Sequence, residues 1–205
     1  SNLITTAETL HQTIYGTKGL ITSSSQISSN AQSAGDGSSY ANLIDNNTET
    51  IFHSTWDTSF KTALTIGTGW HNLQFTLPAA ISKMNFTFTG RNSTTWADTP
   101  NHITIYGTND ATLGASTAAA DSSSWKEITD LTNGFPDNVA LAKYASPDID
   151  LGASYKYLRF VVKHTTNEFQ QSERTFAVPA ITGVTFNLSE MQIYDANPST
   201  DSQYN

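Results

Sequence analysis

Apolar and polar residues alternate through much of the chain beyond residue 73. Leu73, Phe75 and Leu77 share one face of a predicted strand, and Met84, Phe86 and Phe88 share one face of the next. Ile103 and Ile105 repeat the pattern, as do Leu158, Phe160 and Val162. Turn chemistry separates the runs at Leu77-Pro78-Ala79, Thr89-Gly90-Arg91-Asn92 and Gly107-Thr108-Asn109-Asp110. Many short antiparallel strands without helices between them predict an all-β domain, a sandwich or a jelly roll, and periodicity does not choose between the two.

Other stretches break the alternation. Thr6 to Tyr15 predicts a short N-terminal helix, capped by Thr5 or Thr6, with Leu10 and Ile14 on one face and Gly16 at its end. Thr22 to Ser39 reads as a loop tacked to the core by Ile21 and Ile27, and Ala111 to Ser124 as a small-residue surface loop. Glu168 to Thr185 forms a second long connection. Near the end of the chain, Val184, Phe186 and Leu188 occupy even positions, whereas Met191 and Ile193 occupy odd ones. A regular strand cannot bury both sets. A bulge near Ser189 and Glu190 restores the phase; a strand crossing between environments would do so too.

Composition narrows the function. Apolar residues make up 37% of the 205 positions and charged residues only 14%, so the polarity comes from Thr, Ser and Asn. With 11% aromatics the chain is no disordered tail. Its length suits one domain with a sizeable core. A net charge of −8 opposes nucleic acid and anionic membrane as partners. The absence of cysteine excludes disulfides, thiolate nucleophiles and cysteine-based zinc sites. No apolar run reaches membrane length, so no membrane insertion is expected. The opening at Ser1 reads as that of a module cut from a larger, multidomain protein. The expected organisation is a linker with the short helix over 1–19, the sandwich over 20–195 and a tail over 196–205.

Two distant stretches look like halves of one site: Asn42 to Trp56, and Phe186 to Tyr194. They resemble the opening and closing segments of discoidin domains of the F5/8 type C family, and most of all the family-32 carbohydrate-binding modules of bacterial surface proteins and glycosidases. Further matching pieces are His71-Asn72-Leu73-Gln74, Ile105 to Asp110, and Trp125 before Ile128. The resemblance implies a jelly-roll β-sandwich of the galactose-binding-domain-like type.

It also implies a calcium ion in a structural role. Carried over residue by residue, the ligands are the Asn42 carbonyl, the Asp45 carboxylate, the Asn47 carbonyl, Thr50 through hydroxyl and carbonyl, the Ser189 carbonyl and Glu190. All are oxygen donors, as a hard cation requires. Asn46 stands where the family usually has Gly, and Asn tolerates the left-handed backbone next best. The residue types alone are equally those of an Asx-turn beside a surface glutamate.

The resemblance further implies a galactose-type sugar site. Its matches are His53 and Trp56 at His-x-x-Trp spacing, Arg91 followed by Asn92, and Asp36 upstream, with Trp96 as a second stacking surface. An aromatic ring suits the apolar face of a pyranose, and a guanidinium fork suits adjacent hydroxyls. Trp56 could instead belong to the core, and His53 could be a buried, hydrogen-bonded histidine.

Catalysis is not expected. Glycosidase chemistry needs two carboxylates across a cleft, and no pair stands out in the sequence. No Gly-x-Ser-x-Gly or His-Glu-x-x-His motif occurs. The expected function is non-catalytic attachment of a bacterial secreted or surface protein to glycans, outside the cell. The alternative is a protein-adhesion discoidin domain.

Overall fold

The computed structural model describes residues 18–33, 35, 37, 39–56, 70–115, 125–167, 174–175 and 182–197. The predicted N-terminal helix and most of the C-terminal tail lie outside them. The described strands are β1 (Ile27–Ser28), β2 (Phe52–His53), β3 (Asn72–Thr89), β4 (Pro100–Thr108), β5 (Lys126–Leu131), β6 (Lys143–Ala145), β7 (Ile149–Thr165), β8 (Arg174–Thr175), β9 (Thr182–Gly183), β10 (Asn187–Leu188) and β11 (Glu190–Asp195). The architecture is an all-β sandwich with antiparallel pairing.

β3 organises the molecule. Its first half lies between β1 and β7, with Phe75 opposite both Ile27 and Leu158. Its second half lies between β11 and β6, with Phe88 opposite both Met191 and Tyr144. Strands β4 and β5 extend the first group beyond β7, in the order β1-β3-β7-β4-β5. Phe160 joins the two halves of the core. Its ring meets Phe75 edge-on at 5.4 Å and Phe86 edge-on at 4.9 Å, geometry that the aromatic quadrupole favours.

The runs 73–77 and 84–88 are thus one continuous strand, and Leu77-Pro78-Ala79 is not a turn. The pairing with β7 shifts register between Thr76 and Ile81 and again between Ile81 and Lys83. Proline has no N–H to donate, and it sits in this interruption, where none is needed. The shifts also reset the phase, so odd positions face the core through Ile81 and even positions from Met84 onward.

The phase break near Ser189 has a different origin from the bulge expected there. Asn187 and Leu188 pair with His53 and Phe52, whereas Glu190 to Asp195 pair with Thr89 to Met84. The strand changes partner at Ser189, so each segment buries its own set of side chains.

Two stretches read as loops contain short elements. Ser24–Gln26 is a 3-10 turn closed by a Ser23–Gln26 capping box and followed by β1. Ile21 and Ile27 are buried, as expected. Ala111–Ala115 forms a five-residue helix, α1. Asp110 caps it by accepting from the N–H groups of Thr112 and Leu113.

Candidate functional site

The loop from Tyr40 to Thr50 begins as a 3-10 turn, Tyr40–Leu43, capped by the Ser39 hydroxyl. Leu43 is fully buried and anchors it to the core. Asn46 follows with φ of 56°, the left-handed conformation its side chain tolerates. The chain then folds back on Asp45. The Asn47 N–H donates to Asp45 Oδ1 at 2.9 Å and to Glu190 Oε1 at 2.8 Å. The Thr50 hydroxyl lies 2.7 Å from Asp45 Oδ2 and 2.8 Å from the Asn47 carbonyl.

This is an Asx-turn, and it also gathers oxygens. Thr50 has one proton for two acceptors, and the Asp45 and Glu190 carboxylates are neighbours of like charge. Partial burial pushes the Glu190 carboxyl above its usual range, and Asp45 adds to the rise. The donor set contains no nitrogen or sulfur, so the residues fit a hard cation. Asn42 and Ser189 enter the set only through carbonyls. The Asn42 amide is held by the Ile51 carbonyl, and the Ser189 hydroxyl by the Gly90 carbonyl. Among the described residues no three carboxylate or imidazole side chains group closely enough to hold a metal. An ion here would depend on the backbone carbonyls.

The sugar-site residues occupy the adjoining loops. His53 lies opposite Asn187 across the β2–β10 pair. It is 6% exposed, and its Nδ1 donates to the Ser54 carbonyl at 2.7 Å. Trp56 is 43% exposed and is therefore not a core residue; its ring lies 6.2 Å from that of His53. Trp96 is 66% exposed. Arg91 is half-buried, and its carbonyl accepts from Ser93 and Leu141. Asp36 lies outside the described residues. Gly37 packs on His53 with φ of 73°, and its carbonyl accepts from the His53 N–H.

Five hydrogen bonds tie these loops together. The Asn187 side-chain amide donates to the Trp96 carbonyl at 2.9 Å and to Asp98 Oδ2 at 3.3 Å. The Asn92 amide donates to Glu49 Oε1 at 2.9 Å, linking the Arg91 loop to the Asp45 loop. The Leu141 N–H donates to the Arg91 carbonyl, and the Asn138 amide to the Thr94 carbonyl. The structure thus brings His53, Trp56, Asn92 and Trp96 to neighbouring loops, beside the Asp45–Glu190 cluster. Sequence reasoning missed Glu49, Asn187 and Asn138. Only Asn187 left a signal, as a polar residue between two apolar ones in a strand buried on both faces.

No protein-family model matches the chain, and no curated protein sequence matches it. Solved structures do. The module CBM32-3 of a family 31 glycoside hydrolase from Clostridium perfringens superposes with a TM-score of 0.54 at 14% identity, over 86% of this chain and 95% of that one. The fold is that of a family-32 carbohydrate-binding module. A second such module, CBM32-5 from Clostridium perfringens, was solved in complex with GalNAc-β-1,3-galactose; it gives 0.51 at 11% identity, over 86% of this chain and 99% of that one. The C-terminal domain of a chitobiase from Bacteroides fragilis gives 0.50 at 14% identity, over 87% and 99%. At such identities the likeness concerns the fold. Sites on a shared fold must be argued from their own residues.

Proposed function

We propose that the chain is a non-catalytic carbohydrate-binding module that attaches a larger bacterial protein, secreted or at the cell surface, to glycans ending in galactose-type sugars. The observation that carries this reading is the placement of the exposed aromatic side chains. Trp56, Trp96 and Val139 are the large exposed hydrophobics among the described residues. Both tryptophans stand on the loops joined through Asn187, next to Arg91 and Asn92. Exposed rings beside a guanidinium and amides suit a pyranose, which presents one apolar face and a rim of hydroxyls. The fold of the Clostridium modules supports the reading, and the complex of one of them supports the choice of sugar.

Arg91 would bridge adjacent hydroxyls, and Asn92, steadied by Glu49, would add a donor or acceptor. His53 would act from beneath, holding Trp56. A calcium ion bound by Asp45, Glu190, Thr50 and the neighbouring carbonyls would fasten this end of the sandwich. Its role would be structural.

Protein adhesion is the second reading. It calls for a wide, flat apolar patch, whereas among the described residues the large exposed hydrophobics are two rings and one valine. A glycan-array screen of the isolated chain beside Arg91→Ala tests the proposal. Binding to short galactose-terminated glycans, lost in the variant, is the expected result. A wild-type chain that binds no glycan overturns it.

A further inference from the structure

The outer face of β4, β5 and β7 carries a trough of about 410 Å³, lined by none of the loop residues above. Thr104 is buried to 4% exposure in the middle of β4, and its hydroxyl donates to Asp130 Oδ1 at 2.7 Å. His102 Nε2 lies 2.8 Å from the same oxygen. One carboxylate oxygen of Asp130 is thus held by two fixed groups. Among the described residues Oδ2 accepts no hydrogen bond.

Two bulges shape this face. Ile103 pairs with Val162 and His102 with His164, so β7 skips Lys163. Ile105 pairs with Thr129 and Tyr106 with Glu127, so β5 skips Ile128. Bulges re-aim side chains. The first sets the His102 and His164 rings in a stack at 5.4 Å. It also leaves Lys163 Nζ 4.5 Å from the centre of the Trp70 ring. The second sets Glu127 beside Tyr106.

The resulting chemistry is mixed. Donors and acceptors of both charges line one open surface, with half-buried Trp70 and Tyr106 between them. A strongly anionic ligand would meet Asp130 and Glu127, and a strongly cationic one would meet Lys163. A peptide adding as a strand would use the backbone edge of β5, not the face. A neutral chain rich in hydroxyls meets neither charge penalty. The volume lies in the range of small-molecule sites.

We propose that this trough is a second glycan contact, taking internal residues of a neutral oligosaccharide while the loop site takes a chain terminus. The ligand class rests on the carbohydrate-binding reading; the position does not. The test is an array of neutral oligosaccharides, from disaccharides to hexasaccharides, probed with the wild type, with Arg91→Ala, and with Arg91→Ala combined with Asp130→Asn and Glu127→Gln. Arg91→Ala should lose the disaccharides and keep the longer chains. The trough substitutions should then weaken that remainder by about tenfold or more, as expected when hydrogen bonds to charged groups are lost. If Asp130→Asn does not fold, Glu127→Gln at its exposed position carries the test. Loss of all binding in Arg91→Ala overturns the trough and leaves the proposed function standing, as does remaining binding that the trough substitutions do not change. A blank wild-type array overturns both.

Discussion

The side-chain amide of Asn187 donates to the carbonyl of Trp96 at 2.9 Å, while the backbone N–H of Asn187 donates to the carbonyl of Asp98 at 3.1 Å. A residue of the short strand paired with His53 thus holds the loop that displays Trp96. Asn187 is fully buried, so its loss leaves buried partners without hydrogen bonds. Asn187→Ala should cost about 1–3 kcal/mol. That corresponds to a fall of about 2–4 °C in melting temperature for each kcal/mol in a domain of this size. Glycan binding should weaken as well, because Trp96 loses its support. A melting curve unchanged from the wild type would show that the clasp contributes nothing.

Gly37 is needed for two reasons. Its φ of 73° lies in the left-handed region, and a Cβ there would come within 2.7 Å of the His53 Cβ and N. The backbone conformation alone costs an L-residue about 1–2 kcal/mol. The overlap with the His53 backbone cannot be relieved by turning a side chain. Gly37→Ala should therefore destabilise the domain by more than that amount, as denaturant titration would measure. It should also displace His53 and Trp56. A variant as stable as the wild type would mean that the loop bearing Gly37 adjusts freely.

Calcium makes opposite predictions for one substitution under two conditions. Glu190 and Asp45 are neighbouring carboxylates, and burial already disfavours the charge on Glu190. Without an ion, Glu190→Gln removes a repulsion and keeps an acceptor for the Asn47 N–H. Its melting temperature in chelator should equal or exceed that of the wild type. With calcium, the wild type should gain stability by mass action, by about 2.7 kcal/mol at a hundredfold excess over the dissociation constant. The variant should gain little. Equal melting curves for the wild type in chelator and in calcium, with no metal by elemental analysis, would remove the ion from the account.

The sheet was more legible than its joints. Alternation located β4 and the second half of β7, because each presents one apolar face to one core. It misread β3 because Pro78 looks the same in a turn and in a gap between hydrogen-bonded segments; only the partner strand distinguishes them. At Ser189 the phase break was visible, but its cause was a change of partner, which the strand's own residues do not encode. The candidate site followed the same rule. His53, Trp56, Arg91 and Asn92 were singled out by the resemblance to discoidin domains. The contacts that gather them, Asn187 with Trp96 and Glu49 with Asn92, span 91 and 43 positions of chain and had no local signature.

Asp130 sets a pH dependence. Partial burial pushes its carboxyl up, but hydrogen bonds from Thr104 and His102, with the charges of His102 and Lys163, outweigh that and hold it below the ordinary value of 3.8. A carboxyl depressed by folding stabilises the native state above its unfolded value, and the contribution fades as pH falls through the folded value. The difference in melting temperature between wild type and Asp130→Asn should therefore be present above pH 3.8 and shrink as the pH falls below it. It should be small throughout, because the side chain is 47% exposed and solvent screens it. A difference that grows on acidification would contradict this assignment.

Trp96 separates binding from stability more cleanly than any other residue of the loop site. At 66% exposure it buries little in the free protein, so Trp96→Ala should leave the melting temperature close to that of the wild type. Stacking on a sugar ring would be lost, at about 0.5–1.5 kcal/mol. Arg91→Ala should do more, since a forked pair of hydrogen bonds goes at once. A shallow site on one sugar ring buries little area, so the wild-type affinity should be near millimolar, about 4 kcal/mol. Titration calorimetry with a galactose-terminated oligosaccharide should rank the proteins wild type, Trp96→Ala, Arg91→Ala. At such an affinity one module holds a surface only briefly, so useful attachment needs several modules or densely displayed glycan ends. The same chain made divalent should then bind a surface coated with short galactose-terminated glycans far more tightly than the monomer, and Arg91→Ala should abolish that gain. A divalent form that binds no better than one copy would mean that the loop site cannot engage neighbouring glycan ends together.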